Sequence, residues 1–145
     1  RVDRFRQDVK GSDTVLSRAK GILVFPRVWQ GGIGLGGEYG EGALLVGGNV
    51  AEYYNIVSVS YGLQLGGQRK AVIIAFMDDT SLQKFRTSKG WQIGADASVA
   101  LIKLGAEGQI EATELNKPII GFVFGQRGLM YNLSLEGSKI SKLDK

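Results

Sequence analysis

The chain contains no cysteine and no histidine among its 145 residues. Those two absences remove thiol nucleophiles, Ser-His-Asp triads, imidazole proton transfer and the usual zinc sites together. They leave the redox compartment undecided. Only two prolines occur, which excludes a proline-rich linker. No run approaches the roughly 20 apolar residues that a helix needs to cross a bilayer. The remaining composition, 43% hydrophobic and 22% charged, is that of a folded globular chain. At this length a single domain buries roughly 70% of the surface its unfolded chain exposes, so no metal or disulfide is required for folding. Residues 1–145 are read as one domain.

Glycine is abundant instead: 22 residues, about twice the ordinary usage of about 7%. The stretch "GGIGLGGEYGEG", residues 31–42, satisfies G-x-G-x-x-G at Gly32, Gly34 and Gly37. A phosphate-binding loop of that kind must open a helix. Here Gly40 and Gly42 interrupt any helix, "ALLVGG" reads as a short apolar strand, and no Lys-Ser/Thr follows. Nucleotide binding is therefore set aside. The same spacing recurs in "GLQLGGQ" from Gly62 and "GWQIGAD" from Gly90, with a looser copy in "GFVFGQ" from Gly121. Residues two apart share a strand face, so each unit puts an apolar pair on one side and glycines on the other. Glycine within a strand marks a bend, a bulge or a close approach, and the repeated device implies a systematically bent sheet.

The expected class is α+β, a strongly bent antiparallel sheet or barrel-like body with N-terminal helices and one short helix near residues 80–88. Val2, Phe5 and Val9 fall on one helical stripe flanked by Arg1 and Arg6. After Gly11, Ser12 or Asp13 caps a second helix carrying Val15, Leu16 and Ala19. "GILVF" reads as a buried strand stopped by Pro26, residues 53–61 as an alternating strand and "KAVIIAF" as an apolar one. Asp78, Asp79 and Ser81 are capping residues for a helix with Leu82 and Phe85 on its inner side and Lys84, Arg86 and Lys89 near its end. Trp91 to Leu101 alternates as one half-buried strand, "GAEGQIEATELNK" is a polar connection, and residues 119–126 and 129–136 form two strands joined at Gly128.

Five segments taken in order, "AKGILVFPRV" at 19–28, "GGEYGEGALL" at 36–45, "YYNIVSVSYGLQLGGQ" at 53–68, "WQIGADASVA" at 91–100 and "GLMYNLSLEGSKI" at 128–140, resemble the successive signatures of the SYLF domain. That domain is the lipid-binding domain of eukaryotic actin regulators and occurs in bacterial lipoproteins. The ending "GFVFGQRGLMYNLSLEGSKISKL" is closer to the bacterial branch. The resemblance implies association with membrane lipid and, for this branch, a periplasmic or outer-membrane-anchored lipoprotein whose signal and lipidated cysteine are not in this chain. Phosphoinositides and actin are implied only for eukaryotic members and are not carried over.

The residue types imply no cofactor, no metal and no enzyme. Asp78 and Asp79 read as helix caps rather than as an acid-base pair. Glu38, Gln68 and Asp96, which match across three glycine units, read as strand-end residues facing water rather than as a cation site. Tyr53, Tyr54 and Tyr61 follow the pleat and read as core and rim packing rather than as stacking platforms for bases. The net charge of +4 and a pI near 9.4 suit nucleic acid or anionic lipid. With no nucleic-acid motif, the expected partner is an anionic phospholipid surface. Its candidate contacts are the stripe Val2, Phe5 and Val9 with Arg1 and Arg6, and otherwise Lys20 and Arg27 beside the first strand or Arg69 and Lys70 at the second glycine unit. The rival readings are a carrier enclosing a small apolar ligand, as lipocalins do, and a protein-interaction module.

Overall fold

A computed structural model describes residues 17–30, 37–59, 70–101, 117–125, 128–129 and 135–143. Strand β1 (Gly21–Gln30) is followed by β2 (Gly37–Val46), β3 (Asn49–Val59) and β4 (Lys70–Phe76), then by the helix α1 (Asp79–Thr87). Strands β5 (Gly90–Gln92), β6 (Ala100–Leu101), β7 (Ile119–Gly125), β8 (Gly128–Leu129) and β9 (Lys139–Leu143) complete the described elements. They form one sheet in the order β5-β9-β3-β2-β1-β4-β7-β6, with β8 also on β7. The sheet curls into a half-barrel whose two edges are unjoined among the described residues, so the bent, barrel-like α+β body is what forms. Every pair is antiparallel except β6 with β7. Of the expected N-terminal helices, Ser17, Arg18 and Ala19 lie within the described residues; Ser17 and Arg18 are helical and Ala19 is not.

A bulge interrupts β1, near the centre of the sheet. Pro26 does not stop β1, as the sequence suggested, but sits within it. The β1 register slips against β2 between Val24 and Arg27 and against β4 between Phe25 and Val28. A proline has no N–H to give a ladder, so it is tolerated inside a sheet only where a bulge removes it from pairing. Across the bulge, β2 brings Gly40 and Gly42. A Cβ at Gly42 would overlap the Val24 carbonyl oxygen, and one at Gly40 would lie 2.8 Å from the Arg27 carbonyl oxygen. The glycines of "GEYGEG" therefore let β2 close onto a kinked β1, and β2 runs through them as one ten-residue strand.

Leu23, Phe25, Val28, Leu44, Tyr54, Ile56, Val72, Ile74 and Phe76 point into the concave side and join one buried cluster with Leu82 and Phe85 of α1 and with Trp91 and Ile140. The continuous apolar run "KAVIIAF" reflects burial on both faces, since Ile73 and Ala75 are as buried as Ile74 and Phe76. Helix α1 starts as expected: the Ser81 N–H donates to Asp78 Oδ1 at 2.7 Å, Asp79 lies in the first turn, and Lys84 and Arg86 lie in the last.

The expected strand from Trp91 to Leu101 is broken. Gly94 has φ +97°, its N–H donates to the Ala97 carbonyl at 2.7 Å, and Asp96 Oδ2 accepts from the Gln92 N–H at 2.7 Å. A left-handed glycine and an aspartate turn outweigh an alternation whose middle is carried by two alanines. Within 129–136, Leu129 is paired in β8 while Leu135 and the turn at Glu136 and Gly137 are not strand, and β9 lies beyond the expected end.

Registers place Gln30, Gly37, Val59, Lys70, Gln92 and Gly125 at one rim of the sheet. The first, third and fourth glycine units have described residues at that rim, and the second lies outside the described residues. The opposite rim holds the Gly47–Gly48 turn between β2 and β3, the start of β1, the end of β4, and α1.

Candidate functional site

The predicted contact residues divide among three places. Arg1, Val2, Phe5, Arg6, Val9 and Arg69 lie outside the described residues. Arg27 is exposed on the convex face, opposite Glu41 of β2. Lys70 of β4 pairs not with Arg27 but with its buried neighbour Val28, so its register position belongs to the other face of the sheet and the two basic residues do not form one patch. Lys20, also exposed, donates its backbone N–H to the Phe76 carbonyl at 2.7 Å at the far rim. Seven residue steps, about 23 Å at about 3.3 Å each, separate it from Arg27. Lys20 and Arg27 are therefore not one patch.

Glu38 corrects the reading that the matched acids face water. It is 2% exposed, and the Ser58 hydroxyl donates to its Oε1 at 3.2 Å. Its register with Gln30 and Ser58 turns it to the concave side, the same side as Gly40 and Gly42. Asp96 is exposed in its turn, and β3 and β9 lie between β2 and β5, so these two acids do not converge. Gln68 lies outside the described residues. Tyr54 is in the core and Tyr53 at the surface, as the pleat predicts. Among the described residues no group of three or more acidic side chains is placed to hold a metal ion.

Sequence reasoning missed a charge network at the α1 rim. Glu52 of β3 accepts from Arg86 Nε at 2.9 Å, from Lys142 Nζ at 2.8 Å and from the Tyr54 hydroxyl at 3.0 Å. Lys142 Nζ also donates to the Arg86 carbonyl at 3.0 Å, at the helix C-terminus. One carboxylate thus ties α1 to β3 and β9. Partial burial pushes the Glu52 pKa up, but the hydrogen bonds from Lys142, Arg86 and Tyr54 outweigh it and hold the group below its ordinary 4.5. Burial, then the nearby Glu52, pushes the Tyr54 hydroxyl strongly upward. The only signals in the sequence were Arg86 in the last helical turn and the "EYY" alternation, which do not specify a partner 34 residues away.

A carboxyl whose folded pKa is depressed stabilises the fold above its unfolded pKa and loses that contribution as pH falls through the folded value. Glu52→Gln should therefore lower stability at neutral pH by about 1 to 2 kcal/mol, the range for charge-assisted hydrogen bonds at a partly exposed site. The gap to wild type should close as pH drops below about 4.5. Urea unfolding at neutral and acid pH measures this; a gap constant with pH would remove the network's electrostatic role.

A family model described as Las17-binding protein actin regulator, Ysc84, matches residues 57–145. The matched stretch runs from within β3 to beyond β9 and contains β4, α1 and the second, third and fourth glycine units. No curated protein matches the chain. Covering more than half of the sequence, and carrying the segments at 91–100 and 128–140 whole, the match settles the kinship: this chain belongs to the Ysc84 family, whose domain is SYLF.

Proposed function

We propose that this chain is a non-enzymatic module that associates with anionic phospholipid membranes, in the setting of an envelope lipoprotein. The observation that carries this reading is the charge of +4 combined with exposed basic side chains, Lys20 and Arg27 among them, on a body whose interior is already filled. Phe25, Leu44, Tyr54, Phe76, Phe85 and Trp91 occupy the concave side. That filling favours a ligand met at the surface over one carried inside. Of the carboxylates, Asp78 caps α1 and Asp96 holds a turn, which supports a binding role rather than a hydrolytic one.

Each basic group near an anionic surface contributes about 1 kcal/mol, or about fivefold in affinity. Co-sedimentation with phosphatidylglycerol and phosphatidylcholine vesicles tests the reading. Binding is expected only to phosphatidylglycerol and should weaken with salt, because screening shortens the reach of exposed charges. Arg27→Glu should weaken it at least about fivefold if that residue makes the contact; Lys20→Glu tests the other rim. Equal binding to both lipids would defeat the electrostatic mechanism, and no binding would defeat the membrane reading. The second reading, a protein-interaction module, draws on the family description as an actin regulator. Pelleting with actin filaments in the absence of vesicle binding would favour it.

A further inference from the structure

The large apolar side chains that stay exposed among the described residues are Val50 and Tyr53, at 50% and 40%. Three positions apart, they would face opposite sides of a regular strand. They do not, because the register moves from Leu44 opposite Glu52 to Leu45 opposite Val50, leaving Ala51 as an extra residue. That bulge turns both side chains to the convex face. Two apolar rows result: Ile22, Leu45 and Val50, then Ala43, Tyr53 and Leu143. The next row, Arg27, Glu41, Asn55 and Ser141, is polar. Beyond it the row Trp29, Tyr39, Val57 and Lys139 is mixed, so the polar row sets the apolar hairpin end apart from the rest of the convex face.

The hairpin ends in Gly47 and Gly48, with φ of 62° and 84°, the two left-handed residues of a tight hairpin turn. No charged residue occurs in "ALLVGGNVA", residues 43–51. Basic residues lie along the same rim: Lys20 before β1, Lys84 on α1, Lys89 before β5 and Lys117 before β7 are all exposed. Of the acids there among the described residues, Glu52 is bound by Arg86 and Lys142, leaving Asp78 and Asp79 at the helix start.

We infer that the β2–β3 hairpin end is the part of the molecule that enters an anionic bilayer, with Leu45 and Val50 in the headgroup–acyl boundary and Tyr53 at headgroup level. The assignment rests on the membrane reading above and locates its contact. Interfacial elements bury about 5 to 10 Å deep, and two strand residues, about 7 Å, lead from the turn to Val50. Tyr53 lies about 10 Å further along, where an amphipathic ring suits the interface and lysines meet lipid phosphates. Two exposed apolar side chains are few for a stable protein interface, which takes about 20 residues from each partner. They suffice for weak, salt-sensitive insertion.

Because the chain has no cysteine, Val50→Cys accepts a single environment-sensitive fluorophore, and Gln92→Cys at the opposite rim serves as control. With phosphatidylglycerol vesicles the label at position 50 should shift to the blue and the label at position 92 should not. Val50→Asp should bind these vesicles at least tenfold more weakly, with an unchanged melting temperature. If wild type binds while the position-50 label is silent and Val50→Asp binds equally well, another face makes the contact: the hairpin assignment fails and the membrane reading stands. If wild type binds no vesicle, both fail. A sedimentation coefficient that falls on Val50→Asp without vesicles would show the face to be an interface between two copies, overturning the inference.

Discussion

Gly42→Ala is expected to cost about 4 kcal/mol or more, and Gly42→Val to leave no folded protein. The added Cβ would overlap the Val24 carbonyl oxygen and lie 2.8 Å from both the Val24 carbonyl carbon and Phe25 Cδ1. These atoms cannot swing aside as a flexible side chain does. Val24 belongs to the β1–β2 ladder and Phe25 is fully buried, so relief means separating the two strands at the bulge. Overpacking a core usually costs about 1 to 3 kcal/mol, and backbone conflicts exceed that. Two companion variants make the comparison decisive. Gly48→Ala meets nothing within 4 Å but inherits φ +84°, a strain of about 1 to 2 kcal/mol. Gly90→Ala meets the Cε of Lys139, the far end of a movable side chain, and should change stability by about 0.5 kcal/mol at most. Urea midpoints in the order wild type, Gly90→Ala, Gly48→Ala, Gly42→Ala are the expected result. Equal losses at Gly42 and Gly48 would mean that glycine serves only backbone freedom here and not close approach.

The bent sheet was legible because its cause is local: strand-spaced glycines beside apolar pairs leave few alternatives to a kinked strand. What the glycines accommodate was not legible. The slip at Pro26 joins residues near 25 to those near 42 and 71, and no local pattern specifies that meeting. From sequence Pro26 reads as a terminator because proline cannot pair, a rule that holds for a regular ladder and lapses at a bulge. The segment from Trp91 to Leu101 failed for the opposite reason. Its alternation is clean, but Ala95 and Ala97 bury too little to hold an extended chain against the turn at Gly94 and Asp96.

The candidate surface divides in the same way. Charge and family character could be read along the chain, and the capping role of Asp78 followed from its place before an apolar period. Glu38 was misjudged because a carboxylate at a strand end is ordinarily solvated, whereas the bulge and the curl of the sheet fold its concave side inward. Val50 and Tyr53 were not linked, since simple alternation separates them and only the extra residue at Ala51 unites them. In each case the missing information is a register shift, a property of two strands rather than one.

Phe85→Ala is expected to remove about 3 to 5 kcal/mol, the range for truncating a buried phenylalanine. The ring is 1% exposed, with centroids 4.6 Å from Tyr54, 4.8 Å from Phe76 and 5.0 Å edge-on from Trp91. It thereby joins β3, β4 and β5 through one side chain. Against a domain stability of about 5 to 15 kcal/mol, such a loss is a large fraction of the whole. Its local consequence is larger still. Helix α1 has nine residues, too few to persist in water by itself, and Leu82 and Phe85 are its buried side chains. Without the Phe85 ring, Leu82 and the Arg86–Glu52 pair are left to hold it. Phe85→Leu keeps most of the apolar volume and should cost about 1 to 2 kcal/mol. The two effects at α1 should also couple: once Phe85→Ala loosens the helix, Arg86 no longer meets Glu52, so adding Glu52→Gln should cost less than it does in the wild type. Urea unfolding of the single and double variants, with near-ultraviolet circular dichroism following the packing of Trp91, measures both terms. Additive losses would show that the ion pair forms without the aromatic anchor, and that Glu52, rather than Phe85, fixes the helix over the open end of the sheet.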